Sequence, residues 1–168
     1  MAVYSLNVPV PAPVATLASD LAVDLVDARA RTRGRHTLVC KRLGEEPDSR
    51  LEARAREALR GAPAFAARVT GVDLFERPAS GPAPVVYLAV ESPGLKHLHA
   101  DLCETFPPVE DIEGEAYVPH ITIARGGRPG RARELADAEV EPIEWTVEEL
   151  VFWDADREQP GSRISLPA

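Results

Sequence analysis

"YVPHITIAR", residues 117–125, is the stretch on which the reading of this chain turns. Val118, Ile121 and Ile123 favour a pleated, half-buried surface, so the segment reads as a strand. A histidine stands in its middle. Side chains alternate along a strand, so His120 and Thr122 share one face while Ile121 and Ile123 take the other. An imidazole and a hydroxyl are thereby presented side by side on a strand whose opposite face is apolar.

Working outward, "PVVYLAVES" (84–92) reads as a strand and "PGLKHLHADLCETF" (93–106) as a helix with Leu95, Leu98, Leu102 and Phe106 on one side. Residues 109–116 form an acidic loop, and a glycine-rich turn (126–130) leads to a short helix near 131–138. Segments 143–157 and 162–167 read as a closing strand pair. The first half follows the same order. "VYSLNVPV" (3–10) is a strand, 13–29 a helix, "RHTLVCKRL" (35–43) a second strand ended by Gly44, and 47–61 a helix. Residues 65–77 form a strand in which Gly71 marks a bend or bulge, and 81–84 a turn. His36 follows Tyr4 by 32 positions, and His120 follows Tyr87 by 33. A period this long indicates a duplicated unit rather than a solenoid. The expected fold is α+β: two pseudo-symmetric lobes, each an antiparallel sheet with helices on its outer face, and a cleft between them. The whole chain, 1–168, is expected to be one two-lobed domain with lobe segments near 3–77 and 84–167, exchange of strands between lobes being open. Such packing would bring the two histidine strands face to face.

Bulk properties narrow the function. A chain of 168 residues makes one domain or two small lobes sharing a core. No apolar run approaches a membrane span, and the N-terminus reads as a first strand rather than a signal peptide. Cys40 and Cys103 show neither metal nor disulfide spacing, which predicts a cytoplasmic protein without structural zinc. Net charge is −8, and only Lys41 and Lys96 are lysines among 19 basic residues. A negative protein is a poor binder of long duplex nucleic acid, since phosphate contacts need cations. A phosphate ligand must then meet a local basic pocket, as a short RNA end or a nucleotide would.

The repeat and "PHITIAR" (119–125), with its trailing arginine, resemble the two-histidine phosphoesterase superfamily, most closely its 2′-5′ RNA ligase / RNA 2′,3′-cyclic phosphodiesterase branch. That group carries one His-x-Thr/Ser-x motif per lobe, and its flow of elements matches residues 3 to 167. The first motif departs from the pattern. "RHTLVCKRLG" puts Thr37 directly after His36 and Leu38 where the hydroxyl belongs, and Gly44 comes eight residues past the histidine instead of seven. One extra residue is what a β-bulge inserts. A bulge at 36–38 is expected to turn Thr37, helped by Lys41, toward the cleft.

Histidine suits such chemistry because its ordinary pKa near 6.5 allows one neutral and one protonated ring near pH 7. Two imidazoles flanking one phosphorus can activate water and protonate the leaving oxygen without metal or other cofactor. Threonine hydroxyls hold the non-bridging oxygens, and Arg125 adds a planar cationic fork. The resemblance implies a 2′,3′-cyclic phosphate at an RNA 3′ end, or a small cyclic nucleotide, opened to a 2′-phosphate. It implies His120 as base and His36 as acid, with Thr37, Thr122, Arg125 and Lys41 binding substrate; the reverse reaction would give a 2′-5′ linkage. Two other readings stand beside it. One is a non-catalytic RNA-end or nucleotide-binding protein with a degenerate first motif. The other is a phosphodiesterase for another small cyclic phosphate.

Other polar and aromatic residues carry plainer expectations. His97 and His99, two apart on a helix, splay too far to share a metal and read as solvated flanks. Glu110, Asp111, Glu113 and Glu115 read as an exposed loop pointing away from phosphate. Trp145, Phe152, Trp153 and Cys40 read as packing. Arg35 and Arg42 flank the first motif and are open between steering RNA and plain surface charge.

Overall fold

The structure, a computed structural model, describes residues 3–32 and 34–168, without the side chain of Asp48. Among the described residues nine strands and four helices follow in the order β1 (Tyr4–Val8), α1 (Ala12–Ala22), β2 (Arg29–Ala30), β3 (Leu38–Gly44), α2 (Asp48–Ala58), β4 (Phe65–Phe75), β5 (Val85–Glu91), α3 (Pro93–Cys103), β6 (His120–Arg125), α4 (Pro129–Ala136), β7 (Ile143–Val147), β8 (Glu149–Asp154) and β9 (Gln159–Ser165). A 3-10 turn at Gly114–Ala116 precedes β6.

The strands form two antiparallel sheets, of order β3-β1-β8-β9 and β2-β6-β5-β4-β7. The α+β fold with two sheets expected from the repeat is therefore present. Strands cross between halves: β2 and β4, from the first half, join the five-stranded sheet, and β8 and β9, from the second, complete the four-stranded one. The segment 143–157, read from sequence as one strand, is divided. β7 pairs with β4 in one sheet and β8 with β1 in the other. Apolar side chains of both sheets share one continuous core, including Leu6, Leu38, Val69, Leu88, Ile121 and Leu150. Helix α1 stops at Ala22, short of the expected 29; beyond it Val23 and Val26 are exposed, while Leu25 returns to the core and Ala28 packs against it. The bend anticipated at Gly71 is a bulge, with Thr70 the extra residue between Val69 and Gly71.

Helix α3 illustrates how sequence becomes packing. Ser92 caps it, its Oγ accepting from Leu95 N–H at 3.1 Å and donating to the Ala66 carbonyl at 2.6 Å. Loss of such a cap costs about 1 kcal/mol. The face with Leu95, Leu98 and Leu102 is buried, and α3 packs against β3 of one sheet and β4 of the other. It thereby ties the two sheets beside the strand that carries the first motif.

Register fixes which residues look into the space between the sheets. Directly opposed residues share a face. On the four-stranded sheet Val39, Asn7, Val151 and Arg163 form one rung and Arg42, Ser5 and Trp153 another. On the five-stranded sheet His120 opposes Ala89, Thr122 opposes Tyr87, and Arg125 opposes Val85, with a bulge at Ile123 keeping all three on one face. Among the described residues no helix is long and apolar enough to cross a membrane.

Candidate active site

His120 opens β6. Its Nδ1 lies 2.6 Å from the Val118 carbonyl, which can only accept, so Nδ1 carries the hydrogen and Nε2 is left with a lone pair. Phe75 and Tyr87 meet the ring edge-on, each with centroids 5.2 Å away, and hold its plane. Burial lowers the pKa of His120 most. The Arg42 and Arg125 charges lower it further, against the opposing effect of the Val118 bond. The ring is therefore neutral at pH 7 and can accept a proton.

Around it lies a cavity of about 170 Å³ whose walls include Arg42, Arg77, Arg125, Phe75 and Tyr117. Asp111 is its one acidic wall residue among the described residues. Three guanidinium groups, a neutral imidazole and two aromatic rings make a pocket for an anion attached to an apolar or planar group. Arg125 is held by a bond from its Nη1 to the Ser80 carbonyl at 2.8 Å. Gly81 leaves room for it: a Cβ there would sit 2.8 Å from Nη1, and its φ of +78° disfavours any other residue.

Arg42 reaches this cavity because of how β3 is held. β3 is an edge strand, and bulges at Cys40 and Leu43 break its register with β1. Side chains, not another strand, cover its free edge. Tyr117 Oη donates to the Val39 carbonyl at 2.6 Å, and His99 Nδ1 to the Cys40 carbonyl at 2.7 Å. Glu113 accepts from Arg42 N–H at 2.9 Å and from Lys41 Nζ at 2.6 Å. Lys41 also donates to the carbonyls of Arg42 and Pro107. Lys41 is fully buried and all three of its protons are engaged, so it makes no phosphate contact. The expectation for it fails because the bulges point it into the strap, not the cleft.

Two other readings are corrected here. Glu113 is buried, unlike exposed Glu110, Asp111 and Glu115. The Lys41 bond and the Arg42 and Val109 N–H groups hold its carboxyl below the usual range against the raising effect of burial. His99 is also buried; its Nε2 accepts from Gly114 N–H at 3.0 Å and its ring stacks on Tyr117 at 3.8 Å. Both residues brace the site's back wall.

The remaining expected site residues separate into two groups. Thr122 shares the His120 face and is buried beneath it, outside the cavity wall. His36 lies before β3, only 7% exposed, and neither ring nitrogen has a partner among the described residues. With Thr37 it lines a different cavity of about 180 Å³, together with Asn7, Trp153 and Arg163. Val39 and Arg42, not Thr37, are the β3 residues at the His120 cavity, and no bulge falls at 36–38. Burial lowers the His36 pKa, and the charge of Arg31 adds to this. Burial also lowers the pKa of Arg125, and Arg31 again adds to the effect. The charge of Arg31 thus bears on His36 and on the arginine beside His120.

Sequence reading missed Arg77, Arg31 and the bracing role of Glu113. Arg77 follows Phe75 by two positions, a period-2 signal that was present but lay at a strand end. Glu113 gave no signal, because its partner Lys41 is distant in sequence. Among the described residues no group of three or more His, Cys, Asp or Glu side chains is placed to hold a metal ion.

Comparison with known proteins places this arrangement in a class. The profile of the 2′-5′ RNA ligase superfamily matches residues 14–159, and the chain belongs to that superfamily. No curated protein matches it. Among solved structures it is similar to E. coli LigT complexed with NADP+, at 19% identity and a TM-score of 0.70 over 98% of this chain and 97% of that one. It is similar to TT0787 of Thermus thermophilus at 22% identity and a TM-score of 0.65, over 98% and 97%. Usb1 of Kluyveromyces marxianus aligns at 11% identity and a TM-score of 0.56, over 99% and 97%. At these identities the likeness establishes the fold.

Proposed function

We propose that the protein is a phosphodiesterase that opens 2′,3′-cyclic phosphates at RNA 3′ ends, or on small cyclic nucleotides, to 2′-phosphates. One observation carries this reading: the unprotonated Nε2 of His120 shares a small cavity with three arginines. In the proposed step Nε2 takes a proton from water as the water oxygen attacks phosphorus. The P–O3′ bond breaks, and the 3′ oxygen receives a proton from the protonated fraction of His36, a step that requires the substrate to reach the separate cavity His36 lines. Arg42, Arg77 and Arg125 hold the non-bridging oxygens, where charge builds. Run in reverse, with a 5′-hydroxyl in place of water, the same groups would form a 2′-5′ linkage. Superfamily membership supports the reaction class, and E. coli LigT has been crystallised with 3′-AMP, ATP and phosphate.

A second reading, a non-catalytic nucleotide or RNA-end binding protein, is favoured by the separate cavity of His36. Turnover of a 2′,3′-cyclic mononucleotide separates the two. Catalysis predicts turnover by the wild type and a loss of about 10²–10⁴ in His36→Ala and in His120→Ala. Binding without turnover would establish the second reading. Turnover undiminished in His36→Ala would remove His36 from the mechanism and leave His120 as the sole imidazole.

A further inference from the structure

The His120 cavity is lined by two unlike sets of side chains. Arg42, Arg77 and Arg125 answer an anion, whereas the loop before β6 contributes Ile112, Val118 and the carboxylate of Asp111. A carboxylate repels phosphate, so Asp111 has no part in holding one. Nor does it neutralise the arginines. It makes no ion pair or hydrogen bond among the described residues. Arg42 lies 3.6 Å from Glu113 instead, and Arg125 donates to the Ser80 carbonyl. The Asp111 backbone stands at φ +70°, a conformation that glycine adopts at less cost and that Gly114 supplies at +69° three residues on. The loop is also held in place. Glu113 N–H donates to the Val109 carbonyl at 2.9 Å, Val109 N–H donates to Glu113 Oε1 at 3.0 Å, and buried Lys41 anchors the same oxygen. A fixed carboxylate without a partner thus lines an anion cavity beside apolar side chains.

We propose that Asp111 is a specificity-determining residue that selects the base of the reacting nucleotide, and that the base is guanine. The proposal rests on the proposed function for the phosphate end of the ligand and adds the choice of base. An ionised carboxylate only accepts hydrogen bonds, through two oxygens side by side. Guanine is the one common RNA base whose Watson–Crick edge offers two adjacent donors, N1–H and the N2 amino group. Adenine and cytosine set an acceptor nitrogen beside their amino group, and uracil flanks a single N–H with two carbonyls. Against these three a carboxylate leaves lone pair facing lone pair. Asp111 repels the phosphate of every nucleotide alike. Only a base that satisfies both of its oxygens offsets that cost, so the same group attracts one base and rejects three. Ile112 and Val118 supply apolar surface for the ring. The preferred substrate is then a guanosine 2′,3′-cyclic phosphate, free or at an RNA 3′ end.

Two readouts test it. The first is kcat/KM for the four nucleoside 2′,3′-cyclic phosphates. The second is the Kd, by calorimetry, of the four nucleoside 2′-monophosphates, which cannot react. In the wild type guanosine should lead the other three in both by about tenfold or more, the discrimination of one bidentate base contact. Asp111→Asn keeps the turn, because asparagine tolerates positive φ, but replaces one acceptor by a donor and removes the charge. It should weaken the guanosine ligand about tenfold and tighten the other three, so that the order of bases changes. Asp111→Gly, which suits the backbone, should likewise abolish the preference. If no cyclic nucleotide turns over while this exchange appears in binding, the selection of guanine stands and the hydrolytic reading falls. Equal kcat/KM and equal Kd for all four bases, in a wild type that turns them over, overturn the selection and leave hydrolysis standing. A guanosine preference that survives both variants, or a loss shared by all four bases, also overturns the role of Asp111. Neither turnover nor discrimination in binding would overturn both.

Discussion

His120 owes its chemistry to three neighbours: the Val118 carbonyl that fixes the tautomer, and the Phe75 and Tyr87 rings that fix the plane. Burial and two arginines hold its pKa below the ordinary histidine value. The proposed base thus stays unprotonated in mild acid. In a profile of kcat/KM, which reports the free enzyme, the acid limb should lie below pH 6.5. His36, lowered by burial and Arg31, places the alkaline limb on the same side, so the maximum should fall at or below about pH 6.5. The limbs belong to the pair, not to either ring. A rate rising without a maximum from pH 5 to 9 would contradict acid–base pairing. Gly81 offers a second residue-scale check. Gly81→Ala puts a methyl against Arg125 Nη1 and should raise KM for a cyclic nucleotide; an unchanged KM would show that Arg125 does not need its place beside Gly81 to serve the substrate.

At the scale of elements, β3 is the strand whose reading changed most. Its apolar pattern was legible, and so was the anomaly of one residue too many before Gly44. The position of the extra residue was not legible, since a bulge depends on which carbonyls find partners elsewhere. Here His99 and Tyr117 take the carbonyls of Cys40 and Val39, and both come from distant segments. The buried Lys41–Glu113 pair locks the result. Glu113→Gln leaves a buried cation without its counter-charge and should destabilise the protein by about 3–5 kcal/mol in urea unfolding. Lys41→Met/Glu113→Leu should recover only part of that loss, because it removes the unpaired cation but leaves the Arg42 and Val109 N–H groups without their acceptor. A loss under about 1 kcal/mol in Glu113→Gln would contradict the strap.

For the whole molecule, the repeat was the decisive legible feature. Tyr4 to His36 and Tyr87 to His120 announced two like units, and two antiparallel sheets followed. The crossing of β2, β4, β8 and β9 between sheets left no local trace, because a strand's own residues do not name its partner. Three histidines, His36, His99 and His120, all have lowered pKa values, chiefly through burial. Below about pH 6.5 the unfolded chain binds protons that the folded state refuses, so stability falls as pH drops toward the folded values. Above about 6.5 both states are neutral at these rings and the contribution vanishes. Glu113, held low, adds a loss of the same sign in stronger acid. Relief of the −8 net charge acts in the opposite sense over the same range. Tm should decline from pH 7.5 to 5 if the three rings outweigh that relief, and a rise would mean that the relief of net charge exceeds the cost of keeping these rings neutral. The measurement that bears most directly on the central claim is the product formed from an RNA ending in a 2′,3′-cyclic phosphate, with a metal chelator present. The wild type should yield a 2′-phosphate end and His120→Ala should lose at least about 100-fold in rate. No product from the wild type, or an equal rate from the variant, would contradict His120 as the base.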